Sequence, residues 1–85
     1  MDFCLTPHAE QELERREIPR DFLNRVLQNP QQIVNERDGR RAYQSQLEFI
    51  NGKIYLVRAI VDEEFEPNRV ITVYRTSRIS KYWRA

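Results

Sequence analysis

Residues 43–62 read Y-Q-S-Q-L-E-F-I-N-G-K-I-Y-L-V-R-A-I-V-D, and the fold turns on how they are read. Tyr43, Ser45, Leu47 and Phe49 alternate with Gln44, Gln46 and Glu48, the period of two that marks a half-buried strand. Asn51-Gly52 follows, a dipeptide suited to a two-residue primed turn with positive φ, so a hairpin is expected. Lys53 to Asp62 then returns with Tyr55, Val57, Ala59 and Val61 on one face. Ile54, Leu56 and Ile60 share the other face with Arg58. A strand that is apolar on both faces belongs in the centre of a sheet.

Working outward, Ile33 and Val34 open an earlier strand that ends at Asp38-Gly39, another tight-turn pair. Before it the period is helical. Thr6-Pro7 reads as an N-cap and first helical residue, with a thin apolar stripe of Ala9 and Leu13 running to about Arg16. A second helix restarts from Pro19 with a stronger stripe, Phe22, Leu23, Val26 and Leu27, and stops at Asn29-Pro30. Asp2 to Leu5 can form a short first strand. Downstream, the acidic stretch 62–68 is a surface loop, and Val70 to Tyr74 is the last strand. Ile79, Tyr82 and Trp83 then fall on one side of a short helical turn, the only spare apolar surface that could cover the second sheet face. The reading is a single α+β domain over residues 1–85, with two N-terminal helices packed on an antiparallel β-sheet and a short C-terminal helical turn.

The chain has 85 residues, is 40% hydrophobic and 32% charged, and carries a formal net charge of +1. That size holds one core, and no apolar run reaches the roughly 18 residues of a membrane helix, so no membrane partner is expected. The start M-D-F-C-L-T lacks the pattern of a secretory signal, and Cys4 is the only cysteine; a cytoplasmic protein with a buried structural thiol is expected. Charge is unevenly spread. Residues 69–85 hold Arg69, Arg75, Arg78, Lys81 and Arg84 and no acid, which leaves the rest of the chain at −4. Such asymmetry points to a polyanion, a phosphate or an acidic partner.

His8, the only histidine, can be a general acid or base, or a capping and packing residue at a helix start. With Cys4 it does not make a tetrahedral ligand set, so neither a metal nor a cofactor is expected. Arg58 in an apolar strand needs either an acid, such as Glu48 on the neighbouring strand, or a polar cleft. In a cleft, Arg58 and Arg75 on adjacent strands could both donate to a phosphate. Arg40 and Arg41 would extend the basic patch, as would Arg78 and Arg84. Tyr43, Tyr74, Tyr82 and Trp83 interleave with these cations as stacking residues do in single-stranded RNA binders.

The T-P-H-A start of the first helix (6–9), the R-R-E-I-P joint (15–19), and V-I-T-V-Y-R-T-S (70–77) with K-Y-W-R (81–84) resemble a small bacterial domain-of-unknown-function family. That family looks like a branch of the RelE/ParE-like toxin superfamily, related in outline to BrnT-type toxins. The resemblance covers nearly the whole chain. It implies a toxin of a toxin-antitoxin pair, neutralised by a protein antitoxin and acting as a metal-independent messenger-RNA endoribonuclease or on DNA gyrase. Residue by residue it implies Arg58, Arg75, Lys81 and Tyr82 as catalytic groups, with His8 at a family-motif position. Arg40, Arg41, Arg78, Arg84 and Tyr74 would hold nucleic acid. A non-catalytic protein-interaction or regulatory module on the same fold is the alternative reading.

Overall fold

The computed structural model describes residues 2–85. Its elements are β1 (Phe3–Leu5), α1 (Pro7–Arg15), α2 (Arg20–Gln28), β2 (Gln32–Asn35), β3 (Arg41–Glu48), β4 (Ile54–Asp62), β5 (Asn68–Thr76) and a single helical turn, α3 (Ile79–Tyr82). The fold is α+β, with one five-stranded sheet in the order β1-β5-β4-β3-β2. β4 lies at the centre, as its two apolar faces require. The sheet is mixed rather than purely antiparallel, because β1 pairs in parallel with β5, Leu5 beside Val70. A chain that leaves β1 through two helices and three strands before reaching its partner is free to arrive in either direction.

One face of the sheet carries the core. Ala9, Leu13, Ile18, Leu23, Val26 and Leu27 from the helical layer close over Tyr43, Leu47, Val57, Ala59, Val61, Val70 and Val73. Phe22, Phe49 and Tyr55 extend it as an edge-to-face ladder, with ring centroids 4.9 and 5.2 Å apart. Tyr43 belongs to this core. It meets Phe3 edge-on and donates its hydroxyl proton to Glu63, so it is not available for stacking bases. Burial and that hydrogen bond push its phenol up to about 12. Cys4 is exposed, not buried: alternation turns Phe3 and Leu5 toward the core and the residue between them outward.

Both expected turns are present, and one differs in kind. Asp38 and Gly39 take positive φ, 60° and 74°, as a primed turn demands. At the central hairpin Gly52 donates to the Phe49 carbonyl and Phe49 to that of Lys53, each at 2.9 Å. This closes a three-residue loop, Ile50 to Gly52, instead of a two-residue one; only Gly52 has positive φ, 80°. A Cβ at Gly52 would meet nothing within 4 Å, so the cost of replacing it is purely conformational. Gly52→Val is expected to lower the unfolding free energy by about 1–2 kcal/mol, read as a shift in the urea midpoint. Gly52→Asn should cost less than half of that, because asparagine tolerates the left-handed region.

Candidate functional site

The second face of the sheet carries polar residues where a core would be expected to carry apolar ones. Gln44, Arg58 and Tyr74 lie side by side across β3, β4 and β5 in register. Arg58 is only 3% exposed, and each of its three nitrogens has a partner. Nε donates to Gln44 Oε1 at 2.7 Å, one terminal nitrogen to the Tyr74 hydroxyl at 2.5 Å, and the other pairs with Glu36 at 3.1 Å. Its acid is therefore Glu36, not Glu48, whose register partner is Ile54 at the hairpin end of β4. Burial lifts the Tyr74 phenol above its ordinary range, opposed by the Arg58 guanidinium. Tyr74 and Tyr43 both stay protonated near neutral pH and cannot act there as bases.

The C-terminal segment roofs this network. After β5 the chain turns back across the face, and the Tyr82 ring stacks on Arg58 with the guanidinium carbon 4.3 Å from its centroid. The Tyr82 carbonyl accepts from Gln44, and the Gln32 side chain exchanges hydrogen bonds with the backbone of Arg84. Tyr82 thus fulfils the expected covering role, and Arg78, Lys81 and Arg84 come with it, all exposed. Among the described residues none of these three has an ion-pair partner. Lys81 sits 5.3 Å from the Tyr82 centroid.

His8 reaches the rim of the same face. Thr6 fixes α1 against β5: its hydroxyl donates to the Ile71 carbonyl, accepts from the Ala9 amide, and its amide donates to the Val70 carbonyl. Ile71 is free to accept because β5 bulges there, Ile60 pairing with Thr72 and Val61 with Val70. His8, two residues past the cap, then meets Thr72, with Nε2 3.1 Å from Oγ1. The cap is Thr6, so the histidine is not needed for capping. One turn further along α1 stands Glu12, and just past its end Arg16, with its guanidinium carbon 5.9 Å from the Tyr74 ring.

Of the sequence-derived set, Arg58, Tyr74, Tyr82, Lys81, Arg78, Arg84 and His8 gather on or around this face. Arg75 does not. It lies opposite Val57 and shares the helix-covered face, stacked between Phe49 and Tyr55 at 4.6 and 4.7 Å. Arg58 and Arg75 leave opposite sides of the sheet, so one phosphate cannot accept from both. Arg40 and Arg41 also stand apart, 4.0 and 3.6 Å from Asp62 and Glu63. The sequence reading missed Glu36, Gln44, Thr72 and Glu12. Gln44 carried the one available signal, a polar residue directly opposite an arginine in a strand otherwise suited to burial.

Glu12 is nearly buried and bridges two cations, Arg15 at 2.9 Å and Arg16 at 2.7 Å, which draw its carboxyl down to about 2. A lowered carboxylate stabilises the fold fully above the unfolded value of 4.5 and loses that contribution as pH falls toward 2. The stability gap between wild type and Glu12→Gln, measured by urea unfolding, should therefore be constant above about pH 5 and shrink steadily below it. A gap that is the same at both ends of this range would show that the charge of Glu12 does not matter.

Among the described residues no group of three or more His, Cys, Asp or Glu side chains is placed to hold a metal ion. Among the described residues no helix is long and apolar enough to cross a membrane. Residues 5–75 match the model of a family described as a domain of unknown function, DUF4258, and the chain belongs to that family. No curated protein and no solved structure matches it.

Proposed function

We propose that this family member is a RelE/ParE-like toxin domain that binds single-stranded RNA and cleaves it without a metal. The observation that carries the reading is the state of the cations. Six arginines, Arg15, Arg16, Arg20, Arg40, Arg41 and Arg58, have a carboxylate partner within the fold, Arg15 and Arg16 sharing Glu12. Among the described residues Arg25, Arg37, Lys53, Arg69, Arg75, Arg78, Lys81 and Arg84 have no such partner, and of these Arg78, Lys81 and Arg84 are strung along one short segment that crosses one face. Unpaired surface cations in a row suit a phosphate backbone, whose binding releases counterions.

The roles follow from access. Arg78, Lys81 and Arg84 hold phosphates, and Lys81 supplies charge to the non-bridging oxygens as the phosphorane forms. His8 takes the proton from a ribose 2′-hydroxyl; the new bond from O2′ to phosphorus forms as that from phosphorus to O5′ breaks, the departing O5′ takes a proton from water, and the imidazolium returns its proton to solvent. Arg58, with every nitrogen engaged, is the anchor that positions Tyr74 and Tyr82 and not the oxyanion donor. With three phosphate contacts, the slope of log affinity for an oligoribonucleotide against log salt should be roughly −2. A slope near zero, or no binding at low salt, would remove RNA as the partner.

The same engagement of Arg58 favours a second reading, a non-catalytic interaction module, because a buried guanidinium with a partner at every nitrogen serves structure first. Incubating a labelled RNA of defined sequence with the protein and a chelator separates the two. Fragments ending in a 2′,3′-cyclic phosphate support the nuclease. Bound but intact RNA supports the module.

A further inference from the structure

On the opposite side of the sheet, the joint between α1 and α2 and the central hairpin enclose a cleft of ≈ 420 Å³, lined by Glu17, Pro19, Phe22, Phe49, Ile50 and Arg75. We infer that this cleft docks an acidic, amphipathic peptide segment of another protein, seating one bulky apolar side chain against Phe22 and Phe49 and a carboxylate on Arg75. The inference does not depend on RNA binding at the other face.

Two features carry it. Ile50 is fully exposed at the hairpin tip, an aliphatic side chain held in water beside two aromatic walls. Its loop position is fixed by the Gly52 and Phe49 hydrogen bonds, so it is presented and not merely trailing. Arg75 is the second. Its guanidinium is held between the Phe49 and Tyr55 rings, and among the described residues it has no carboxylate partner. Arg25 continues the same ladder outside the cleft, 5.5 Å from the Phe22 centroid and likewise without an acid. Stacked arginines beside apolar walls are the anchors that dominate peptide and protein interfaces.

Charge complementarity selects the occupant. The cleft has a cation at one wall, Arg75, and an anion at another, Glu17. A nucleic-acid strand brings a negative charge with every nucleotide and would meet Glu17 unfavourably. A peptide can place its single carboxylate on Arg75 and direct a backbone amide or a basic residue to Glu17. Glu17 is held there by backbone geometry: it takes φ of 53° at the end of α1, where Ile18 donates back to the Leu13 carbonyl.

The test uses a short, capped, fluorescein-labelled peptide with a central leucine and a single glutamate, and two controls, glutamate to glutamine and leucine to alanine. Anisotropy should show saturable binding of the parent peptide to the whole chain. Each control should bind roughly 10-fold more weakly or worse. Ile50→Glu, at a site too exposed to affect folding, and Arg75→Gln should each weaken the parent peptide by a similar factor. The glutamine control should bind Arg75→Gln and wild type alike, which a merely structural role for Arg75 would not produce. No saturable binding, unchanged affinity in Ile50→Glu, or displacement of the peptide by RNA would each overturn the inference.

Discussion

Arg58→Ala is expected to lower the unfolding free energy by about 3–4 kcal/mol, a fall in Tm of well over ~10 °C for a domain of this size. The loss does not come from the charge alone. Alanine leaves the Oε1 of the fully buried Gln44, the Tyr74 hydroxyl and the Glu36 carboxylate without their guanidinium partner, and it removes the surface on which Tyr82 stacks. Unpartnered buried groups are the costly outcome, more so than the absence of the bond itself. Glu36 keeps 29% of its side chain exposed and can recover water, which holds the estimate toward the lower end for a broken buried pair. Arg58→Met combined with Glu36→Gln should regain at least half of the loss, since the stem is kept and no charge is left alone. Urea unfolding of the three proteins measures this. A loss under about 1 kcal/mol for Arg58→Ala would mean the network adds no stability.

That network also marks where reading the sequence reaches its limit. The alternation of Tyr43 to Phe49, the two-faced apolar run of Ile54 to Val61 and the stripes of α1 and α2 identify the central strands and the helical layer, because burial imposes those periods directly. β1 is different. Three residues carry no period, and nothing local records that Phe3–Leu5 will pair in parallel with a strand more than sixty residues away. The same distinction separates the site residues. The uncompensated charge of the C-terminal segment is a property of composition and was legible, and so was the need of Arg58 for a partner. Which acid answers it depends on the direction of a long side chain. Glu48 is on the adjacent strand, yet the fork reaches Glu36 beyond the end of β2. Gln44 reads as solvent-facing by alternation but is buried, its side chain bonded to Arg58, Gln32 and the returning Tyr82 backbone. Likewise, Arg58 and Arg75 look like partners on adjacent strands until the register puts Val57, not Arg58, opposite Arg75.

His8→Gln is expected to slow RNA cleavage by roughly 10²-fold or more, with melting temperature and RNA affinity unchanged. The fold gives little reason for the histidine to be structural. It is exposed, the helix cap is supplied by Thr6, and its contact with Thr72 Oγ1 is one a glutamine amide can reproduce. What the amide cannot do is accept the 2′-hydroxyl proton. Thr72→Val then tests whether that contact orients the ring: the hydrogen bond is lost while the imidazole stays, and a smaller fall of about 10-fold is expected. Adding imidazole to His8→Ala, which leaves the ring's place open, should restore part of the rate. Rate, affinity and Tm must be read together. A rate that falls only in step with Tm would assign His8 to packing, and a variant that cleaves as fast as wild type would remove it from the chemistry altogether.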